Sequence, residues 1–182
     1  GIAGSGMKPL AELCKHRGYH VTGSDQKLSF TDKFQVQKAD LVVYSSAIPK
    51  TNEDLIAAKK YNKKILHRSE FLAQLSSEQK SISVAGTHGK TSTSMMIAHI
   101  CNQQKYPVEH VIGGIANNLI PQPQKESKYI IFEADESDGS LVNYNPFLSI
   151  INNIELDHVD FYQSKEHLSK TFSNFLNKTN PL

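Results

Sequence analysis

The stretch SVAGTHGKT, residues 83–91, decides the fold because it joins a strand, a glycine turn and the start of a helix. The apolar segment SISVA, which ends inside this stretch, predicts a buried strand, and the following TSTSMMIAHI predicts a helix. A turn in this context points several backbone N–H groups at one place, at the positive end of the helix. The stretch therefore predicts a loop that binds phosphate.

Two side chains of this loop fit a nucleotide together with its metal ion. Lys90 adds a point charge for the β- and γ-phosphates of ATP, and the hydroxyl of Thr91 can bind Mg²⁺. The usual spacing places a glycine six residues before the lysine, where this chain has Val84. A glycine turn with a surface lysine is the alternative. The strand before the loop and the helix after it favour ATP binding.

The composition is that of an ordinary globular protein. The 182 residues are 38% apolar and 21% charged, which suits one large domain or two small ones. A net charge of +2 does not indicate nucleic acid as a partner, and no apolar run approaches the roughly 20 residues of a membrane span. Cys14 and Cys101 fall in predicted helices and are expected to be free thiols, which indicates a reducing cytoplasm. The composition predicts no particular oligomeric state.

Strands and helices alternate along the chain, which predicts an α/β fold with a mainly parallel sheet. The polar segment 76–80 is the predicted linker, and it divides the chain into units 1–78 and 79–182. Strands are predicted at 19–23, 40–46, 64–67, 81–85, 108–112, 129–134 and 147–152, and helices from Met7, at 52–61, at 69–75, after the glycine turn and at 164–177. Ser69 is the predicted cap of the third helix. The last helix is predicted to bury Leu168, Phe172, Phe175 and Leu176.

A second glycine-rich turn, GIAGSGM, opens the chain at residues 1–7. Glycines at the start of a helix let a phosphate approach the backbone. Ser24 and Asp25 follow about 20 residues later, where a dinucleotide-binding fold places an acid on a ribose. A nicotinamide dehydrogenase is therefore one alternative, but Ala3 replaces the second glycine of that motif. A nucleotide diphosphate fits the turn as well, and a purely structural turn is the remaining alternative.

Two polar clusters follow predicted strands of the second unit. EADESD, residues 133–138, places four acids within six residues, and NNIELDH, residues 152–158, ends on a histidine. Ligands bind where the ends of parallel strands converge, and Mg²⁺ is usually held by one or two carboxylates with water and phosphate. A solvated loop and a surface histidine are the alternatives. Beside a nucleotide loop, contact with metal or phosphate is the better hypothesis.

Together these blocks resemble the Mur ligases, the ATP-dependent enzymes that add amino acids to the UDP-linked peptidoglycan precursor. His88 in the loop is typical of the alanine-adding branch and its recycling relative, and Ser137 favours the alanine-adding branch. Two small residues, Ala3 and Ser92, depart from the family pattern. The resemblance rests on seven ordered blocks: GIAGSGM, GYHVTGSD, SSAI, AGTHGKTSTS, GG, EADESDGS and NNIELDHVD.

The resemblance implies a Rossmann-like N-terminal domain, residues 1–78, followed by the first part of the P-loop ATPase domain that is central in Mur ligases, residues 79–182. Mur ligases carry a further C-terminal domain, which is expected to lie beyond these residues. Because Gly1 already lies inside a glycine turn, we expect a fragment of a longer protein that is inactive alone. The implied reaction joins L-alanine to UDP-N-acetylmuramate through an acyl phosphate, with ATP and Mg²⁺.

The resemblance also implies roles for individual residues. Catalysis is expected of Lys90, Glu133 and His158. Thr91 and Glu133 are expected to hold one Mg²⁺, and His158 is expected to help place another. The residues expected to bind ATP are Gly86, Thr87, His88, Gly89, Lys90, Thr91, Ser92 and Asn153. Those expected to bind the sugar nucleotide are Gly4, Ser5, Gly6, Ser24, Asp25 and Ser46. Two alternatives remain: a recycling ligase that attaches a ready-made peptide, and a non-catalytic module that binds a UDP-sugar.

Overall fold

The computed structural model describes residues 1–25, 36–114, 121–123 and 126–180 of the chain. Helices and strands alternate within these ranges, which confirms the predicted α/β class. The helices are α1 (Met7–His16), α2 (Glu53–Lys60), α3 (Arg68–Ser76), α4 (Lys90–Gln103) and α5 (Lys165–Leu176). The strands are β1 (Leu41–Tyr44), β2 (Lys64–His67), β3 (Lys80–Ala85), β4 (Glu109–Val111), β5 (Tyr129–Glu133) and β6 (Leu148–Ile151).

The first unit contains a parallel pair of strands, β1 and β2, with Leu41 opposite Lys64. The connection between them is α2, whose start is defined by Asn52, because its side chain accepts hydrogen bonds from the backbone N–H groups of Asp54 and Leu55. The strand β2 runs directly into α3. The carboxyl ends of both strands therefore lie at one edge, where the chain turns towards the second unit.

The second unit is a parallel sheet whose described strands have the order β4-β5-β3-β6. The strand β3 is central, pairs with β5 and β6, and is mostly buried, as expected for the apolar run SISVA. Because every pair is parallel, the residues that follow β3, β5 and β6 meet at one edge of the sheet. This edge brings the glycine turn and both polar clusters together.

One hydrophobic core joins the two units. Leu10 and Leu13 of α1 and Leu72 of α3 belong to the same buried cluster as Val111 of β4 and Phe132 of β5. A fully buried leucine contributes about 1.5–3 kcal/mol of hydrophobic stabilisation. Since α1 shares this buried cluster with elements of both units, the first glycine turn, which leads into α1, is held in a defined place relative to the second unit.

The structure corrects three details of the prediction. It describes residues 19–23 and shows no strand there, because none of the described strands pairs along this segment, and only Ser24 beyond it accepts from the backbone N–H of Ile2. The cap of α3 is His67 rather than Ser69, since the imidazole accepts from the N–H of Ser69 and the carboxylate of Glu70 accepts from the N–H of His67. Leu176 is 45% exposed, while the rest of the predicted stripe on α5 is buried.

The predicted free thiols are confirmed, because Cys14 and Cys101 are both described and neither forms a disulfide. Burial raises the pKa of the Cys14 thiol to about 11, although the charge of Arg17 opposes the shift. Within the described ranges, no helix has both the length and the apolar character that a membrane span requires.

Candidate functional site

The glycine turn between β3 and α4 needs both of its glycines. Gly86 has φ +132° and Gly89 has φ +79°, a region that other residues rarely adopt. A β-carbon on Gly86 would also lie 3.1 Å from the carbonyl oxygen of Asn153. The turn therefore leads directly into the N-terminus of α4, as the sequence predicted.

The segment after β6 supports the glycine turn through hydrogen bonds. The side chain of Asn153 accepts a hydrogen bond from the backbone N–H of His88 at 2.9 Å and donates to the carbonyl of His88 at 3.2 Å. The hydroxyl of Thr87 donates to the carbonyl of Glu155 at 3.0 Å. Asn153 and Thr87, which the sequence assigned to ATP, thus fix the shape of the loop. Ser92 lies exposed in the first turn of α4.

The ammonium of Lys90 is surrounded by oxygen atoms. It lies 2.6 Å from the carbonyl of Gly86 and 3.3 Å from that of Thr87. It also contacts both carboxylate oxygens of Glu136, at 3.1 and 2.7 Å. The side chain of Lys90 is only 16% exposed, so the loop mouth contains a fixed positive charge.

Glu136 lies at the centre of this site, but no individual role was predicted for it from the sequence. Its side chain is 1% exposed and lies between Lys90 and His158. Burial raises the pKa of the Glu136 carboxyl, and the hydrogen bond and charge of Lys90 oppose that rise. Its carbonyl accepts from the hydroxyl of Tyr162 at 2.6 Å. The only sequence signal for Glu136 was its place three residues after Glu133, within an acidic cluster that was interpreted as one unit.

Thr91 and Glu133, the predicted metal ligands, do lie together. The Thr91 hydroxyl donates to one Glu133 oxygen at 3.2 Å, and the N–H of Gly113 donates to the other at 2.9 Å. Across the described residues, no three His, Cys, Asp or Glu side chains form a metal-binding group on their own. One carboxylate and one hydroxyl suit Mg²⁺, which commonly keeps waters and takes its remaining ligands from substrate phosphates.

His158, the third predicted metal ligand, contacts a different carboxylate. Its Nε2 atom lies 3.6 Å from Glu136, and its side chain is 39% exposed. The backbone of His158 has φ +52°, and its carbonyl accepts hydrogen bonds from the N–H groups of Phe161 and Tyr162. A non-glycine residue in the left-handed region is strained and needs such support. The imidazole is therefore held at the loop mouth beside the Lys90–Glu136 pair.

The first glycine turn is closed by Ser24 and Asp25, two of the residues predicted to bind the sugar nucleotide. The carboxylate of Asp25 accepts from the N–H of Ala3 at 2.9 Å. The carbonyl of Ser24 accepts from the N–H of Ile2, and its hydroxyl donates to Asp54. Both residues thus support the turn itself. The backbone of Gly4 and Ser5 is exposed at its tip.

The pair Gly113–Gly114 lies between the two glycine turns, because a β-carbon on Gly114 would be 3.9 Å from the Thr91 side chain. A β-carbon on Gly113, the residue that bonds Glu133, would come within 3.4 Å of the carbonyl oxygen of Ser5. Ser46, at the end of the first sheet, hydrogen-bonds to Asp138 in the acidic cluster. A ligand on the first turn and one on the second could therefore meet between them.

Two pairs of basic and acidic side chains line this junction, and these pairs were not predicted from the sequence. His67 lies 3.6 Å from Asp138, and Arg68 lies 3.7 Å from Asp135. Burial acts to raise the pKa of Asp138, but hydrogen bonds from Ser140 and Ser46 outweigh it and lower that pKa. Neither His67 nor Arg68 belongs to a glycine motif, so only their position at the carboxyl end of β2 could have indicated them.

Comparisons with known proteins agree along the whole chain. The family model described as Mur ligase middle domain matches residues 84–181, and the one described as Mur ligase family, catalytic domain, matches residues 1–80. The UDP-N-acetylmuramate–L-alanine ligase of Dictyoglomus turgidum is 40% identical over 194 residues, covering 98% of this chain and 42% of that protein. The chain thus spans less than half the length of this curated relative.

Solved structures show the same architecture. UDP-N-acetylmuramate:L-alanyl-gamma-D-glutamyl-meso-diaminopimelate ligase from Neisseria meningitidis has a TM-score of 0.82 at 25% identity, over 99% of this chain and 67% of that one. UDP-N-acetylmuramate-alanine ligase from Thermotoga maritima has a TM-score of 0.81 at 23% identity, over 98% of this chain and 46% of that one. The second likeness supports the fold alone.

Proposed function

The chain belongs to the Mur ligase family, and we propose on that basis that the whole protein joins L-alanine to the carboxylate of UDP-N-acetylmuramate at the expense of ATP. The observation that carries the proposal is the 40% identity, over 98% of the chain, to a ligase of that name. The product is an early peptidoglycan precursor. Two free thiols in the chain favour a cytoplasmic location.

The chemistry requires two anions to meet, since the muramic carboxylate attacks the γ-phosphate of ATP, which gives an acyl phosphate and releases ADP. The amine of L-alanine then displaces the phosphate. Lys90 is proposed to neutralise the γ-phosphate at the mouth of the loop, because its ammonium is fixed there and only 16% exposed. A charge that needs no rearrangement during the reaction stabilises the transition state most effectively.

Glu136 is proposed to position Lys90 for this task. The carboxylate is buried and binds the ammonium at 2.7 Å, whereas the carbonyl of Thr87 lies 3.3 Å away. The charged hydrogen bond to Glu136 is stronger than the contact with the Thr87 carbonyl. An incoming phosphate therefore replaces the carbonyl contact more easily than it replaces the carboxylate. Lys90 would then bind phosphate and Glu136 at the same time.

One Mg²⁺ is proposed to be held by Thr91 and Glu133, and His158 is proposed to help place another. When bound, Mg²⁺ would supply Lewis-acid stabilisation of the phosphate charge. The N–H of Gly113 fixes one oxygen of Glu133, which leaves the Thr91-facing oxygen for the metal. His158 would bind the other metal ion through its second imidazole nitrogen, Nδ1, because its Nε2 atom contacts Glu136.

The sugar nucleotide is proposed to bind at the first glycine turn through Gly4, Ser5 and Gly6, in a domain formed by residues 1–78. Residues 79–182 would belong to the ATP-binding domain. Exposure of the turn at Gly4 and Ser5 and the closeness of Ser5 to Gly113 support this arrangement. An indirect role in ligand binding is proposed for Ser24, Asp25 and Ser46, which would hold in place the backbone and side chains that contact the ligand.

The proposal is tested by incubating the whole protein with UDP-N-acetylmuramate, ATP and Mg²⁺, and identifying the product by mass spectrometry. One reaction receives L-alanine and a parallel one receives a ready-made murein tripeptide. We expect the alanine adduct and ADP. Coupling of the tripeptide alone would favour a recycling ligase, which the Neisseria structure makes the second candidate. Sugar-nucleotide binding with no ATP turnover in either reaction would indicate a non-catalytic module.

A further inference from the structure

We propose that Arg68 binds the diphosphate of the sugar nucleotide beside the first glycine turn, an inference that rests on the proposed function. Arg68 is the first residue of α3 and follows β2 without a loop. Its side chain is only 12% exposed. It lies at the end of a parallel strand, the position at which ligands of α/β folds bind.

The guanidinium lies against the first glycine turn. A β-carbon on Gly6 would be 3.0 Å from Nη1, 3.2 Å from Cζ and 3.4 Å from Nε of Arg68. The absence of a side chain at Gly6 therefore leaves the flat guanidinium in direct contact with the turn backbone. Any anion that approaches this turn meets the arginine as well.

Arg68 lacks the partners that a buried arginine normally has. Its ion pair with Asp135 is 3.7 Å long, too long for a hydrogen bond, and within the described ranges the guanidinium donates none. Arg17 is equally buried, at 14% exposed, and donates to Glu109, Glu78, Gln79 and the carbonyl of Leu75. Burying a charge is costly unless hydrogen bonds compensate it. Arg68 thus has donors available for a ligand, whereas Arg17 does not.

The backbone at Arg68 is fixed on both sides by the second unit. His67 pairs with Asp138 at 3.6 Å, and the hydroxyl of Ser69 accepts from the side chain of Asn143 at 2.8 Å. These contacts hold the start of α3 against the acidic cluster. The arginine is therefore pre-organised, which lowers the entropy lost when it binds an anion.

A diphosphate suits this position better than a carboxylate. The guanidinium fork matches two phosphate oxygens, and the glycine turn can donate backbone N–H groups to the same group. Asp135 is 40% exposed and can turn away into solvent when the diphosphate arrives. The muramic carboxylate, in contrast, must lie near Lys90 to react.

The test is calorimetric titration of the whole protein with UDP, and separately with UDP-N-acetylmuramate. For Arg68→Gln we expect UDP affinity to fall about 10–100-fold, the effect of losing charge-assisted hydrogen bonds. Arg68→Lys keeps the charge without the fork and should lie between the two. Asp135→Asn should bind UDP as well as the unchanged protein or more tightly, because it removes a competing anion. Lys8→Gln, an exposed cation on α1, is the matched control and should change affinity less than about twofold.

Each result of these titrations supports or overturns the proposed role of Arg68. Unchanged UDP affinity in Arg68→Gln overturns the inference. Equal losses in Arg68→Gln and Asp135→Asn would make the ion pair structural and overturn it too. A loss for UDP-N-acetylmuramate alone would place the arginine on the sugar acid instead of the diphosphate. If the unchanged protein binds neither ligand, the proposed function itself is wrong. Thermal unfolding of each variant checks the fold, and Arg68→Lys decides the matter if Arg68→Gln does not fold.

Discussion

The ammonium of Lys90 and the carboxylate of Glu136 form a buried ion pair 2.7 Å long at the mouth of the second glycine turn. The pair joins the start of α4 to the segment after β5, two elements 46 residues apart in sequence. It therefore couples the second glycine turn to the acidic cluster, and through Glu136 to His158 at 3.6 Å.

Glu136→Gln tests the positioning role of this pair. Glutamine keeps the size and one hydrogen bond but loses the charge, so Lys90 should be held less firmly. We expect kcat of the whole protein to fall about tenfold with a smaller change in the KM for ATP, since a charged hydrogen bond contributes about 1.5–3 kcal/mol. Steady-state phosphate release measures both constants.

The matched control is Glu155→Gln, which removes an exposed carboxylate 4.0 Å from His88 on the same side of the loop. It should leave kcat within about twofold. A rise in KM for ATP with unchanged kcat in Glu136→Gln would mean that Glu136 supports nucleotide binding only. Tighter ATP binding would mean that it holds Lys90 away from the phosphate.

Lys90 and Glu133 should respond differently to magnesium. Lys90→Ala removes a fixed charge, which costs about 2.7–4 kcal/mol of transition-state stabilisation, or roughly 10²–10³ in rate. Higher Mg²⁺ should not restore it. Glu133→Ala should act through the metal, because Glu133 lies 3.2 Å from the Thr91 hydroxyl, so added Mg²⁺ should restore part of its activity. A magnesium titration of phosphate release compares them. Wild-type rate and metal dependence in Glu133→Ala would make the acidic cluster a solvated loop.

Gly6→Val should act on the sugar nucleotide and not on ATP. Gly6 has an ordinary φ of −87°, so valine causes no left-handed strain, but its side chain would press on the Arg68 guanidinium 3.0 Å away. We expect the KM for the sugar nucleotide to rise at least tenfold, by the loss of about 1.4 kcal/mol or more of binding energy, and the KM for ATP to change little. Equal increases in both KM values would instead indicate a folding defect.

Asp138 should stabilise the junction in a pH-dependent way. Burial opposes its charged form, but hydrogen bonds from Ser140 and Ser46 lower its pKa below the usual 3.8. A carboxyl with a lowered pKa stabilises the fold above its unfolded pKa, and that contribution is lost as the pH falls through the folded value. The free energy of unfolding of Asp138→Asn should therefore be lower by about 1 kcal/mol at pH 7, a gap that closes below about pH 4.

Urea unfolding at a series of pH values measures that gap. Asp157→Asn is the control, because Asp157 is exposed and, within the described residues, its carboxylate accepts a hydrogen bond only from the N–H of the neighbouring His158. A gap that does not depend on pH would show that the carboxylate charge is not what stabilises the junction.

Local patterns predicted the second unit well. The apolar run before Gly86 and the helix after Lys90 formed as expected, and the acidic cluster meets the loop because parallel strands end at one edge. The exact ends of elements depended on caps, and the imidazole of His67 replaced the expected Ser69 because its nitrogen reaches the same N–H. Leu176 is exposed because it lies in the last turn of α5.

Contacts between distant segments could not be read from the sequence. Whether Glu133 or Glu136 faces Lys90 depends on how the chain bends after β5, and both residues fit the same acidic pattern. Arg68 lies in no glycine or acidic motif, and its contact with Gly6 exists only because α1 and α3 share a core. Asp25 was predicted to hold a ligand, and the structure shows it bonding to the turn at Ala3.

The central claim is that two nucleotides bind at two separate turns of one protein. Calorimetric titration of the whole protein with Mg²⁺-ATP and with UDP-N-acetylmuramate, repeated on Lys90→Ala and Gly6→Val, tests it most directly. We predict that the unchanged protein binds both ligands, that Lys90→Ala loses affinity for Mg²⁺-ATP alone, and that Gly6→Val loses affinity for the sugar nucleotide alone. An unchanged protein that ignores Mg²⁺-ATP, or a loss of both affinities in each variant while the fold stays intact, would contradict the claim.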